Sequence, residues 1–194
     1  MVIITGAGRS GTSALSGYIF RLGYNTGNTY GEGIRGGYEL AKISIINDRI
    51  IAGETVYDSE IQELDNIIIK DPRFFDYPVL DRWIEARDDL SFIISYRSPV
   101  NVAKGYRRHP DQFLGKGTTP LKELSETIYD NSAYVFHKLS EEDIEFRVLT
   151  FPTFLDQFEK VTQTFEEMLG EKFNRIQAKA CWDEWMDESK VHYR

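Results

Sequence analysis

A glycine-rich turn between a short apolar strand and an amphipathic helix restricts the fold of this chain most. Residues 1–5 are apolar, Gly6 and Gly11 bracket the turn, and Leu15 and Ile19 follow at helical spacing. Glycines let the backbone turn sharply and expose its N–H groups, and the start of a helix adds N–H donors that have no partner within the helix. Strand, turn and helix together predict a cradle for a phosphate-like anion.

The side chains of the turn favour the same interpretation. Arg9 can form charge-assisted hydrogen bonds with phosphate-like oxygens, and three hydroxyl groups follow it. The predicted anion ligands are Gly8, Arg9, Ser10, Gly11, Thr12 and Ser13. The alternative is a tight connection between strand and helix that holds no ligand. The glycine spacing is that of a Walker A loop, but Thr12 stands where a Walker A loop has lysine.

Short apolar segments alternate with helical patterns along the chain. Candidate strands span 1–5, 66–70, 91–96 and 145–151, and helical periodicity marks 12–22, 38–51, 78–87, 99–108, 121–139 and the segment up to about 169. The last segment, 171–194, is also predicted to pack as a helix. The alternation predicts an α/β fold, a three-layer sandwich with a parallel sheet, in one domain over 1–194. Ligands of such sheets bind beyond the carboxyl ends of the strands.

Composition narrows the classes of function. The formal net charge of −8 argues against a nucleic-acid-binding protein, which is usually basic. A single cysteine and the absence of a basic leader or a long apolar run lead us to expect a cytoplasmic protein without a membrane span. Between residues 90 and 110 there is no acidic residue, while Arg97, Lys104, Arg107 and Arg108 fall there. This segment is either a solvated helix face or a basic patch beside an anionic ligand.

Two motifs resemble those of the sulfotransferase family, in its bacterial and carbohydrate-type branch. Arg9-Ser10-Gly11-Thr12-Ser13 resembles the loop that holds the 5′-phosphosulfate of 3′-phosphoadenosine 5′-phosphosulfate (PAPS). Residues 97–103, Arg-Ser-Pro-Val-Asn-Val-Ala, resemble the element after a strand in which the arginine binds the 3′-phosphate. Residues 35–39, 70–73 and 146–151 resemble further segments of the family.

The resemblance implies a P-loop NTPase-like fold with the strand order 66–70, 91–96, 1–5, 145–151. It implies PAPS as co-substrate, Arg9 as the cation that stabilises the leaving group, and Arg97 as the 3′-phosphate ligand. The family has a serine eight residues after that arginine, where this chain has Gly105. Either Lys104 replaces the serine or the 3′-phosphate site is weaker.

An acceptor hydroxyl requires a general base, and the candidates are Glu39, Asp71 and His109. Glu39 follows a long glycine-rich loop, and Asp71 follows the second candidate strand. Each carboxylate also has a structural alternative: Glu39 as an ordinary residue at a helix start, and Asp71 as a turn residue before Pro72. The acceptor, a small molecule or a carbohydrate, is left open.

Two other functions are compatible with the sequence. The first is a P-loop kinase that uses ATP and magnesium, which Thr12 disfavours. The second is a degenerate nucleotide-binding module, which Gly105 favours. No cysteine and histidine residues have zinc-ligand spacing, so no resident metal is expected. Cys181, Trp182 and Trp185 are interpreted as packing residues.

Overall fold

A computed structural model describes residues 1–27, 37–108 and 119–186. The strands are β1 (Val2–Thr5), β2 (Ile68–Lys70), β3 (Ser91–Tyr96) and β4 (Phe146–Thr150). The α-helices are α1 (Thr12–Arg21), α2 (Ala41–Ile51), α3 (Asp58–Gln62), α4 (Tyr77–Ala86), α5 (Pro99–Arg108), α6 (Leu121–Glu141), α7 (Phe158–Leu169) and α8 (Arg175–Trp185). Short 3-10 helices span Pro72–Phe75, Thr153–Asp156 and Gly170–Lys172.

The strands form one parallel sheet in the order β2-β1-β3-β4. The predicted fold class, an α/β sandwich with a parallel sheet, is therefore confirmed. The predicted strand order is wrong, because β1 and not β3 pairs with β2: Val2 lies opposite Ile68 on one side and Ser91 on the other. Both inner strands are apolar and buried, so their composition did not reveal which of them has β2 as its neighbour.

The two faces of the sheet bury separate apolar layers. Val2 and Ile4 point to the layer formed with α1, α7 and α8, while Ile3 points to the layer formed with α2, α4 and α6. Side chains of a strand alternate between faces, so one short strand contributes to both layers. Of the two edge strands, β2 is buried, whereas most residues of β4 are partly or fully exposed.

The predicted helices agree with the observed ones except at their ends. The second begins at Ala41 and not at 38, the fifth, which is α6, continues to Glu141, and the last spans Arg175–Trp185. Helix α3 and the 3-10 helices carry no clear periodicity and were not predicted. Within the described ranges, no helix is both long enough and apolar enough to cross a bilayer.

A buried polar chain connects α4 and α2 to the end of β2. The indole Nε1 of Trp83 donates to Oδ1 of Asn47 at 2.8 Å, and Nδ2 of Asn47 donates to Oδ2 of Asp71 at 3.1 Å. All three residues are fully buried. Leaving a buried polar group without its partner costs free energy, so these two hydrogen bonds fix the segment after β2.

We predict that Asn47→Leu lowers the free energy of unfolding by about 2–4 kcal/mol, since it leaves the buried indole N–H of Trp83 without this partner and removes one of the hydrogen bonds to the buried Asp71 carboxylate. Chemical denaturation measures the loss. The matched control is Asn101→Leu, at an exposed position of α5, with an expected change within about 0.5 kcal/mol. Equal effects of the two substitutions would contradict the prediction.

Candidate functional site

The glycine turn lies at the carboxyl end of β1, between β1 and α1. Gly6 has a φ of 149°, and a Cβ atom there would lie 2.2 Å from the carbonyl oxygen of Ser95. Gly11, which precedes α1, has a φ of 98°, and a Cβ atom there would lie 2.3 Å from the ring of Phe151. Both positions require glycine because of conformation and of space. The predicted turn is thus enclosed by the ends of β3 and β4.

The end of β3 holds the turn in place. The hydroxyl of Ser95 donates to the carbonyl oxygen of Ser10 at 2.6 Å. Nη1 of Arg97 donates to the carbonyl oxygen of Arg9 at 3.0 Å. The structure therefore brings the two predicted anion-binding segments into contact, because β1 and β3 are neighbours in the sheet.

Positive charge is concentrated beside the turn. Burial lowers the pKa of the Arg97 guanidinium, and the charges of Arg9 and Arg108 lower it further. Nε of Arg97 and Oγ of Ser10 are buried and have no hydrogen-bond partner within the described ranges. Neighbouring guanidinium groups repel one another, and an anion bound between them would relieve this repulsion and accept hydrogen bonds from the buried polar atoms.

Arg108 is a residue that the motif comparison missed. It occupies the last turn of α5 and, like Lys104 on the same helix, is exposed, but only Arg108 is one of the two charges that act on Arg97. Gly105, between them, lies against the side chain of Arg9: a Cβ atom there would be 3.2 Å from Cβ of Arg9. The basic stretch between residues 90 and 110 pointed to Arg108, but only the fold shows that its charge acts on Arg97.

Glu39 and Lys70 form a buried ion pair. Nζ of Lys70 contacts Oε1 of Glu39 and donates to the carbonyl oxygen of Gly37 at 2.8 Å. Burial lowers the pKa of the Lys70 ammonium, and the Glu39 carboxylate opposes this effect. Lys70 ends β2, so the pair fixes the carboxylate of Glu39 at the carboxyl edge of the sheet.

Asp71 has a different environment. Its carboxylate accepts hydrogen bonds from Asn47, from the backbone N–H of Arg73 at 2.8 Å and from Nη1 of Arg73 at 3.2 Å. It is fully buried and caps the 3-10 helix that follows β2. The third candidate base, His109, lies outside the described residues.

A cleft of about 340 Å³ adjoins the turn. We name it the α6 cleft, and it is lined by Ala7 and Gly8 of the turn, Glu39, Pro72, Arg73, Phe75, Asp76, Tyr106 of α5 and one face of α6. Glu39 lines this cleft, while Asp71 is not among the described residues that line it. Both predicted carboxylates are buried, and the structure separates them by position: Glu39 lines the cleft beside the turn and Asp71 does not.

Tyr106 lines the α6 cleft and contacts the turn. Its side chain is buried, and its hydroxyl is hydrogen-bonded to the backbone of Gly8. Burial and the charge of Asp76 raise the pKa of this hydroxyl, although the Gly8 hydrogen bond and Arg9 act in the opposite direction. Tyr106 is therefore a neutral hydrogen-bonding group at neutral pH. It was missed in the sequence because it belongs to no motif.

Comparison with known proteins identifies the architecture. No protein-family model and no curated protein matches the sequence. The sulfotransferase domain of the olefin synthase from Synechococcus PCC 7002 superimposes with a TM-score of 0.60 at 15% identity, covering 92% of this chain and 74% of that chain. This chain has the fold of a sulfotransferase domain. A sulfotransferase domain from the curacin biosynthetic pathway gives a TM-score of 0.60 at 14% identity, covering 90% of this chain and 75% of that one.

The resemblance seen in the sequence is therefore confirmed at the level of the sulfotransferase fold. At such low identity the comparison supports the architecture, and the roles of individual residues depend on the geometry of this chain. That geometry has two parts: arginines beside the glycine turn, and the α6 cleft, which Glu39 and Tyr106 line together with residues of the turn.

We predict that inorganic sulfate raises the melting temperature of the protein by binding at the glycine turn. Arg9→Gln should weaken this binding by about 1.5–3 kcal/mol, the range of a hydrogen bond to a charged group. A sulfate titration followed by thermal unfolding measures the effect. The control is Arg107→Gln, an exposed position of α5. If Arg107→Gln weakens binding as much as Arg9→Gln does, the ion interacts with the general charge of the surface and not with the turn.

Proposed function

We propose that this protein is a sulfotransferase that uses PAPS and transfers the sulfuryl group to a hydroxyl of an acceptor molecule. The observation that carries the proposal is the meeting of Arg97 with Arg9 at the carboxyl edge of a sulfotransferase fold, with Nη1 of Arg97 3.0 Å from the Arg9 carbonyl oxygen. Two cationic segments that converge on one edge suit a nucleotide with separate phosphate groups.

The residues present fit PAPS. Oγ of Ser10 in the turn and Nε of Arg97 beside it are both buried without a hydrogen-bond partner in the described ranges, so two donors are available to an anion. Residues 8–13 would hold the 5′-phosphosulfate. Arg97 would hold the 3′-phosphate.

Arg108 is the better candidate than Lys104 for the second 3′-phosphate ligand. Its charge acts on Arg97, so an anion bound to Arg97 would also be attracted to Arg108. Gly105, which stands where the family has this serine, leaves space for the Arg9 side chain. Replacing Gly105 by serine would crowd the cation that we assign to the leaving group.

The proposed chemistry is divided between the arginines beside the turn and the α6 cleft. When bound, PAPS supplies the sulfuryl group: the acceptor oxygen forms a bond to sulfur as the bond from sulfur to the phosphate oxygen breaks, and adenosine 3′,5′-bisphosphate is released. Arg9 stabilises the negative charge that develops on the phosphate oxygen. Glu39 accepts the proton of the acceptor hydroxyl in this proposal, because it lines the α6 cleft and Lys70 holds its carboxylate in one position.

Asp71 is assigned a structural role in this proposal. Its carboxylate is engaged by Asn47 and Arg73 and is enclosed within the protein. A base must reach the proton that it removes, and the α6 cleft is the space available to an acceptor.

The decisive binding test compares adenosine 3′,5′-bisphosphate, adenosine 5′-phosphate and ATP with magnesium by isothermal titration. We expect the bisphosphate to bind tightest, and Arg97→Gln to reduce its affinity about tenfold or more by removing a charged hydrogen bond. Arg108→Gln should have a smaller effect in the same direction, and the control Arg107→Gln none. Tight binding of ATP with magnesium but not of the bisphosphate would favour a kinase. Binding of no nucleotide would favour a degenerate module.

The assignment of the base is tested by sulfuryl transfer from radiolabelled PAPS to a mixed panel of alcohols, phenols and sugars. We expect Glu39→Gln to reduce the rate by about 10²–10⁴-fold while the affinity for the bisphosphate is unchanged. Since Glu39→Gln leaves Lys70 without its partner, the double variant Glu39→Gln/Lys70→Met controls for lost stability. Asp71→Asn is expected to lower the melting temperature more than the rate of the folded enzyme. A large loss of rate in folded Asp71→Asn would reverse the assignment.

A further inference from the structure

The residues that line the α6 cleft indicate which class of acceptor it binds. This inference rests on the proposed function. The cleft begins at Ala7 and Gly8 of the turn, so a molecule within it lies beside the predicted sulfuryl site. Glu39 lines the same space. An acceptor hydroxyl in the cleft would have a base on one side and the glycine turn on the other.

Apolar side chains form much of the wall. Phe75 follows β2, Tyr106 belongs to α5, and Leu124 and Ile128 are one turn apart on α6. All four are largely buried in the protein, and Tyr106, Leu124 and Ile128 belong to one apolar cluster. Removal of apolar surface from water stabilises a complex, so these walls favour an acceptor with an apolar body.

The charged groups of the cleft disfavour an anion. Among the described residues that line it, the charged side chains are Glu39, Arg73 and Asp76. The guanidinium of Arg73 is already bonded to two carboxylates, with Nε 2.6 Å from Oδ1 of Asp48 and Nη1 3.2 Å from Asp71. A carboxylate or sulfate on the acceptor would lie among negative groups and find this cation already engaged.

Uncharged polar groups are present at the same wall. Thr127 and Asn131 are one turn apart on α6 and line the cleft beside the apolar residues. The Thr127 hydroxyl donates to the carbonyl oxygen of Glu123 at 3.0 Å, and the Asn131 amide can both donate and accept. Such groups orient a polar substituent without requiring a charge.

We propose that the α6 cleft binds an uncharged hydroxyl compound with an apolar body, and not an anionic sugar. The volume of about 340 Å³ suits a small molecule or the end of a longer one. The matched probes are 2-naphthol and 6-hydroxy-2-naphthoate, which share a ring system and a hydroxyl and differ by one carboxylate. N-acetylglucosamine is the uncharged probe without an apolar body.

The three probes are titrated into the protein with and without saturating adenosine 3′,5′-bisphosphate. We expect 2-naphthol to bind at least about tenfold tighter than either of the others, because the carboxylate loses its hydration without gaining a cation. Equal or tighter binding of 6-hydroxy-2-naphthoate or of the sugar would overturn the proposal.

Two variants place the binding in the cleft. Thr127→Tyr fills the cleft from an exposed position of α6 and should abolish binding of 2-naphthol while leaving the affinity for the bisphosphate unchanged. The control, Ala133→Tyr, changes an exposed residue of the same helix outside the cleft and should leave both unchanged. Binding of 2-naphthol that survives Thr127→Tyr would show that it binds elsewhere and overturn the proposal.

The titrations separate this inference from the proposed function. If the bisphosphate binds and the anionic probe binds tighter than 2-naphthol, the acceptor class is wrong and the sulfotransferase proposal stands. If the bisphosphate does not bind, the proposed function fails, and the preference among the three probes without nucleotide still decides what the cleft accepts.

Discussion

The pairing of β1 with β3 is the constraint on which the candidate site depends. It places the end of β3 against the glycine turn, so that Ser95 and Arg97 each donate to a carbonyl oxygen of the turn. Strand pairing also brings Gly6 so close to Ser95 that no side chain fits there. A turn held in this way presents its N–H groups in one arrangement, which is the preorganisation that binding of an anion requires.

The ion pair of Glu39 and Lys70 is the second element of this organisation. Burying two charges costs free energy, and the pair recovers it only if the geometry is good and the remaining hydrogen bonds are made. Lys70 meets this condition by also donating to the carbonyl oxygen of Gly37. The pair joins the segment before α2 to the end of β2, so one interaction anchors that segment and holds the carboxylate of a residue that lines the cleft.

The surroundings of Arg97 and the α6 cleft differ in charge. Arginines concentrate positive charge beside Arg97, whereas the α6 cleft combines apolar walls with carboxylates and an arginine that is already paired. Under the proposed function, this difference explains how an acidic chain with a net charge of −8 would hold a strongly anionic co-substrate. Local charge, and not the total, decides what binds at a given surface.

The sequence by itself determined the α/β class, the strand–glycine–helix unit and the arginine that follows β3, because these depend on local periodicity and on residues close together in the chain. It did not determine the order of β1 and β3, since both are equally apolar. Nor did it separate Glu39 from Asp71, or Arg108 from Lys104, because those distinctions depend on which side chains meet across the sheet edge and along α5. Tertiary structure decided them: packing engages Asp71 with Asn47 and Arg73, and places Glu39 among the residues that line the cleft.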